Sequence, residues 1–386
     1  MLEPGDIKTY DQQNWYSSGL EEHPDYLNKH LITCLGNKRA LLPHIHEGIK
    51  TAIEIIGKKK IDFVDLFSGS GVVARLARRY SQNLFCNDLE PYSQILNQCY
   101  QFNQDEVPYG PLRAEFDRLN DLTRDEKLEA GWISHMYAPA DENNIQHGER
   151  VFYTRRNAMF LDTFRQALEK TPQHLQPFLL APVLVQASMH TNTSGVFKGF
   201  YKNANGVGQY GGNGQHALKR ILHPIQVQLP LFSRYHCDVH ISTSDALQCI
   251  ASLPQIDLAY FDPPYNEHPY GSNYFMLNLL CNYEKPLSVS RVSGIPSNWQ
   301  RSIYNKAPQA ESALLEAVAR IKARCVLISY NSEGFIHHEH FLEQLNRMGR
   351  VKVLEMAYNT FRGARNLANR NLHVKEFLYL LDKGNL

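Results

Sequence analysis

Apolar positions along the chain change period several times, and each change marks an element. From Leu41 the residues Leu42, Ile45, Ile49, Ala52, Ile53 and Ile56 recur at helical spacing. This predicts a helix that stops at Gly57, with the lysine run 58–60 as its solvated end. Residues 61–67 form an apolar stretch of strand length, broken at once by Ser68-Gly69-Ser70-Gly71. A helix through Val72, Val73, Leu76 and Ala77 follows, and then a second strand, Leu84 to Asn87, that ends at Asp88. Strand, glycine turn, helix, strand is a βαβ unit, and such units build parallel sheets.

The rhythm stops over residues 105–235, which are rich in Asn, Gln, Gly and aromatics, with glycines dense over 201–214. That length is too great for a simple connection, so an inserted, partly helical lobe is expected. The α/β pattern resumes with a strand from Ile256 to Phe261. Helices near 273–282 and 308–323, a strand at 326–329 and a helix around 339–347 come next. Two more strands, 351–356 and 374–381, flank a polar, arginine-bearing loop. Residues 1–28 lack periodicity and are expected to be a loosely structured arm. The expected organisation is an arm (1–28), a catalytic α/β domain (29–104 and 236–386) and an inserted recognition region (105–235).

Composition narrows the class. The chain has 386 residues, with 40 Lys+Arg against 39 Asp+Glu, a net charge of +1. That excludes a uniformly basic nucleic-acid binder but permits a local basic cleft. Seven cysteines without a C-x-x-C spacing read as reduced, structural thiols. The N-terminus has no apolar h-region, and no run reaches the roughly 18 apolar residues of a membrane span. A cytoplasmic, soluble protein without membrane contact is expected.

Candidate chemistry gathers where predicted strands end, which is where open α/β sheets bind ligands. The turn Phe67-Ser68-Gly69-Ser70-Gly71 allows a ligand to approach the backbone closely. Asp88, 19 residues beyond Gly69 at the end of the second strand, can accept hydrogen bonds from ribose hydroxyls or cap the next helix. Asp262-Pro263-Pro264-Tyr265 follows directly on a strand, and the two prolines force the chain out of the sheet with restricted dihedrals. A carboxylate and an aromatic are thereby presented at the sheet edge. Asp245, 17 residues earlier, is an acid in the cofactor region or a helix cap.

The glycine turn resembles the F-x-G-x-G of class I S-adenosylmethionine-dependent methyltransferases. Asp262–Tyr265 resembles the D-P-P-Y of amino-group DNA methyltransferases. Gly36-Asn37-Lys38, before Leu41-Leu42, is similar to the G-G-K-x-x-L-L segment of Dam-like adenine methyltransferases, with Asn37 in place of the second glycine. The order of cofactor segment, glycine turn, insert and catalytic turn is the α-group order. Three further segments, 192–200, 266–275 and 358–366, resemble methyltransferases of type IIS restriction-modification systems.

The resemblance implies a class I fold, a mostly parallel seven-stranded, Rossmann-like sheet with a terminal antiparallel hairpin. It implies transfer of a methyl group from S-adenosylmethionine to adenine N6 in a specific double-stranded DNA sequence, either beside a cognate restriction endonuclease in a restriction-modification system or as an orphan methylase. Asp262, Pro263, Pro264 and Tyr265 are the implied catalytic residues, the aspartate and a proline carbonyl holding the target amino group and the tyrosine stacking on an extruded base. Gly36, Lys38, Phe67, Ser68, Gly69, Gly71, Asp88, Asp245 and Asp262 are the implied cofactor residues. Cytosine N4 or RNA adenine methylation remains an alternative, as does a catalytically silent DNA-binding specificity subunit. Methyl transfer from a sulfonium needs no metal, and none is expected.

Cations that could meet DNA are Lys198, Lys202, Lys219 and Arg220, interleaved with Phe197, Phe200, Tyr201 and Tyr210, and Arg362, Arg365 and Arg370 between the last two strands. Core aromatics beside surface cations, or a solvated loop, would look the same in one dimension. Gly294–Trp299 reads as a surface loop or as a flap over the base.

Overall fold

A computed structural model describes residues 22–32, 36–359 and 373–384. Seven strands form one sheet: β1 Ile61–Asp65, β2 Ser81–Asp88, β3 Asp238–Thr243, β4 Ile256–Phe261, β5 Ala323–Asn331, β6 Arg350–Asn359 and β7 His373–Asp382. Their order is β3-β2-β1-β4-β5-β7-β6. The first five run parallel, and β7 lies antiparallel between β5 and β6. This is the class I methyltransferase sheet with its terminal hairpin, as the resemblance implied.

The principal helices are α1 Leu42–Ile56, α2 Val72–Ala77, α3 Pro91–Tyr100, α4 Tyr109–Leu122, α5 Trp132–Tyr137, α6 Arg155–Leu168, α7 Gln176–Met189, α8 Ala246–Ser252, α9 Phe275–Asn282, α10 Ala307–Arg320 and α11 His338–Asn346. Their ends follow local chemistry. Pro43 opens α1, where a missing N–H costs nothing, and Gly57 closes it in the left-handed region at φ 75°. One face of the sheet packs against α1, α2 and α3, the other against α8, α10 and α11.

Edge strand β3 carries a weak signal, because only Val239 and Ile241 are apolar and neither is fully buried. Its pairing with β2, from Asn83 opposite Asp238 to Asp88 opposite Thr243, makes it a strand. Within 105–235, α7 is buried almost all round because it packs on both α3 and α9. The insert helices therefore share one hydrophobic core with the sheet face, in which Phe152, Phe160 and Leu184 stand beside Leu84 and Leu258.

Residues 22–28, expected to be loosely structured, instead form a short helix at Pro24–Asn28 and pack with 29–32 into the body, because Tyr26 and Leu27 are buried there. The buried Arg75 guanidinium donates to the carbonyls of Tyr26, Lys29 and His30 and lies 4.0 Å from the Tyr100 ring centre. The Tyr26 hydroxyl donates to the Tyr100 carbonyl at 2.6 Å. These contacts hold the chain on its way to Gly36 and Lys38.

Candidate active site

The C-terminal ends of β1, β2 and β4 open on one cleft. Its wall contains Gly36, Lys38, Phe67, Ser68, Gly69, Asp88, Asp245, Asp262 and Pro264. Most of the cofactor residues implied by sequence and the catalytic carboxylate thus meet in one place. Gly71 is not part of that wall. It sits behind the turn at φ 74°, where a Cβ would stand 2.6 Å from Asn97 Oδ1. Its N–H donates to the Ser68 carbonyl at 2.7 Å, and its own carbonyl accepts from Gln101 Nε2. Gly71 shapes the turn and seats it on α3, while Gly69, at φ 52°, faces the cleft.

The acids of this end are held by backbone. Asp88 Oδ2 accepts from the Gly69 N–H at 2.7 Å and Oδ1 from the Glu90 N–H at 2.9 Å. Glu90, not Asp88, occupies the N-cap position of α3, and its side chain makes no cap hydrogen bond. Asp245 does cap a helix: its Oδ1 accepts from the Leu247 N–H at 2.9 Å at the start of α8. It also lines the cleft.

Two further acids in the wall were missed from sequence. Asp65, the last residue of β1, is buried and accepts from the Ala74 N–H at 3.2 Å through Oδ2, while Oδ1 has no partner among the described residues. Burial, reinforced by Asp262 and Asp88, pushes its carboxyl well above the usual range. Glu90 accepts from Asn278 Nδ2 at 2.6 Å, and burial raises its carboxyl to about 8. The strand-end rule that singled out Asp88 would have found Asp65 as well.

At the other end of the cleft Asp262 is held by side chains. Lys38 Nζ lies 2.9 Å from Asp262 Oδ1 and 3.4 Å from Glu376 Oε1, and Lys38 and Glu376 are both buried. Burial alone would lower the Lys38 ammonium, but Asp262 and Glu376 outweigh it and hold it well above its ordinary value. Burial raises the Asp262 carboxyl to about 6, against the opposing pull of Lys38. Lys38, expected among the cofactor residues, thus makes its ion pairs with Asp262 and with a β7 glutamate. Nearby, Gly36 at φ 72° leaves room for Tyr270, whose hydroxyl would lie 2.9 Å from a Cβ there.

Pro263 is buried. Tyr265 is half-buried, its ring 5.7 Å from Lys38 Nζ and edge-on to Tyr330 at 6.0 Å. Its carbonyl accepts from the Phe335 N–H at 3.1 Å, which fixes the exit of the turn.

The DNA-facing candidates divide. Lys198 and Lys219 are exposed. Lys202 is half-buried, with Nζ 5.0 Å from the Phe200 ring centre. Arg220 turns inward and donates to the carbonyls of Met189, Thr191 and Thr193, which ties off the end of α7. Phe197 is buried among Phe152, Tyr153 and Phe275, and the Tyr210 hydroxyl donates to Glu142 at 2.9 Å. Arg362, Arg365 and Arg370 lie outside the described residues. In the segment after α9, the Gly294 carbonyl accepts from the Tyr137 hydroxyl at 2.7 Å, and Arg301 stacks over Trp299 at 4.3 Å.

Comparison with known proteins agrees with this geometry. Residues 35–290 match the model of the D12 class N6 adenine-specific DNA methyltransferase family. The chain is 26% identical to the type II methyltransferase M.CviAII of Paramecium bursaria Chlorella virus 1, over 91% of this chain and 98% of that protein. It is 28% identical to the type II methyltransferase M.NlaIII of Neisseria lactamica, over 83% and 90% of the two. It is also 26% identical to the type II methyltransferase M.FokI of Planomicrobium okeanokoites, over 90% of this chain and 52% of that longer protein.

Proposed function

The chain belongs to the D12 class N6 adenine-specific DNA methyltransferases, and from that premise we propose how its residues divide the work. The family acts on adenine N6 in DNA, which does not favour cytosine N4, RNA adenine or a silent specificity subunit. The observation that carries our reading is the presence of the Asp262 carboxylate and the glycine turn in one cleft at the C-terminal edge of the sheet.

The methyl donor is S-adenosylmethionine, which when bound supplies an electrophilic methyl group on a sulfonium. The residues fit such a group. Asp88 spends one lone pair of each oxygen on a backbone N–H and keeps the others for two ribose hydroxyls. Asp245 faces the adenine end, and the unpartnered Asp65 Oδ1 offers a buried acceptor to a cationic amino group. Gly69 lets the amino-acid portion lie close to backbone.

Asp262 accepts a hydrogen bond from the target amino group, and a proline carbonyl of the same turn accepts the second. This holds the nitrogen lone pair toward the incoming methyl group. A carboxyl raised to about 6 remains largely ionised at neutral pH, yet is basic enough to hold the proton that nitrogen sheds on methylation. Tyr265 stacks on the base once it has left the duplex. Residues 105–235 form the recognition region, with Lys198 and Lys219 toward phosphates, and Arg362, Arg365 and Arg370 are further cations for DNA contact. The partner is double-stranded DNA, with a cognate restriction endonuclease working on the same sequence. Among the described residues no helix is long and apolar enough to cross a membrane, and we place the activity in the cytoplasm.

The test is nucleoside analysis of duplex DNA incubated with the protein and S-adenosylmethionine labelled in its methyl group. Label in N6-methyldeoxyadenosine, lost in Asp262→Asn, is expected. Label in N4-methyldeoxycytidine, or transfer that survives in the variant, would overturn the reading.

A further inference from the structure

Glu376 belongs to none of the motifs that mark the site, yet it lies against the ion pair at the Asp262 end of the cleft. It sits on β7 opposite Asn331 of β5 and Met356 of β6, in the interior of the sheet, and is 1% exposed. Its Oε1 accepts from Ser329 Oγ at 2.6 Å and lies 3.4 Å from Lys38 Nζ. Its Oε2 has no hydrogen-bond partner among the described residues. A carboxylate buried on one hydroxyl and one ammonium is costly to keep, and an apolar residue of similar size would pack there without that cost.

The arrangement is a buried ammonium between two carboxylates, of which only Asp262 lines the cleft. With Asp262 as sole partner, Lys38 would neutralise it and compete with the target amino group for its lone pairs. With a second carboxylate behind it, the ammonium is shared.

We infer that Glu376 is a positioning residue for methyl transfer: it holds the rear of the Lys38 ammonium, so that Asp262 is oriented by Lys38 without being neutralised and keeps an oxygen free for the target nitrogen. The inference rests on the assignment of Asp262 made above. The direction of the electrostatics agrees, since Lys38 lowers the Asp262 carboxyl and Glu376 raises it. Other titratable groups around the cluster are His44 on α1, Asp65 on β1, Asp88 on β2, Tyr260 on β4, Tyr265 on the catalytic turn and Tyr379 on β7. Burial favours the neutral form of His44, Asp65, Tyr260 and Tyr379, so none of these supplies the missing counter-charge.

The experiment is single-turnover methyl transfer as a function of pH, with S-adenosylmethionine and duplex DNA, in the wild type, Glu376→Gln and Lys38→Met. The wild-type rate should fall as pH drops through about 6, where Asp262 takes up its proton. In Glu376→Gln that limb should move to lower pH and the plateau rate should drop, while cofactor affinity and the KM for DNA stay at wild-type values. In Lys38→Met the limb should move the opposite way. Where Glu376→Gln no longer binds cofactor, Glu376→Asp takes its place, withdrawing the charge by one methylene, and the same downward move is expected. An unmoved limb in the variant that binds cofactor, a raised KM with unchanged plateau, or loss of cofactor binding in both Glu376 variants overturns the inference. Failure of the Asp262 assignment shows separately, as a wild-type profile without an acid limb or transfer that survives in Asp262→Asn.

Discussion

The two ends of the cleft hold their carboxylates by different means. At the glycine turn Asp88 and Asp245 are fixed by backbone N–H groups within their own turns or in the neighbouring one. At the catalytic turn Asp262 is fixed by Lys38, which arrives from before α1, and Lys38 in turn by Glu376 from the last strand. Backbone donors cannot ionise or swing away, which suits a pocket that only has to bind. A side-chain ion pair can adjust charge as well as position, which suits the role proposed for Asp262, accepting a hydrogen bond from a reacting nitrogen. Binding and chemistry should therefore be separable by substitution.

The sharpest break of that contrast is Asp262→Ala, which should lower single-turnover methyl transfer by at least about 10²-fold, the usual scale for a lost proton-handling group. Cofactor affinity by calorimetry should stay near the wild-type value. Lys38→Met comes next, because it leaves two carboxylates without their cation. Removing one partner of a buried pair typically costs about 3–5 kcal/mol, to be read as a lowered midpoint in urea unfolding. At the backbone-held end, Asp88→Ala should weaken cofactor binding by about tenfold to a hundredfold, since hydrogen bonds to a charged group are worth roughly 1.5–3 kcal/mol.

Gly71→Ala should destabilise the fold by about 1–2 kcal/mol, because the residue is left-handed at φ 74° and a Cβ would press on Asn97. Thermal unfolding would show it, and an unchanged midpoint would mean that the turn tolerates another conformation. The smallest effect is expected at Tyr265. There Tyr265→Phe should keep most activity, while Tyr265→Ala should lose stacking worth about 1–3 kcal/mol. Equal impairment of both variants would give the hydroxyl a role.

The same contrast explains what could be read from sequence. Backbone-held features are local: the Phe67–Gly71 turn, Asp88 at a strand end, and the two prolines after Phe261 each announce themselves within a few residues. The helix Leu42–Ile56 with its glycine stop and the strand Ile256–Phe261 were legible with correct bounds, because period and breaker coincide there. Strand β3 was not, since an edge strand needs few apolar residues. Glu376 was not legible either, because nothing beside an apolar strand shows which buried position faces a lysine from the far end of the chain. The inward turn of Arg220 depends on where α7 ends, which a cation among aromatics does not disclose.

The most direct test of the account sets two numbers side by side for two variants: S-adenosylmethionine affinity, and the methyl-transfer rate at saturating cofactor, for Asp88→Asn and Asp262→Asn. The account predicts that Asp88→Asn weakens affinity but recovers most of its rate when cofactor saturates, while Asp262→Asn keeps affinity and loses the rate. If both variants lose affinity and rate together, the two ends of the cleft are not separable and the division of labour proposed for them is wrong.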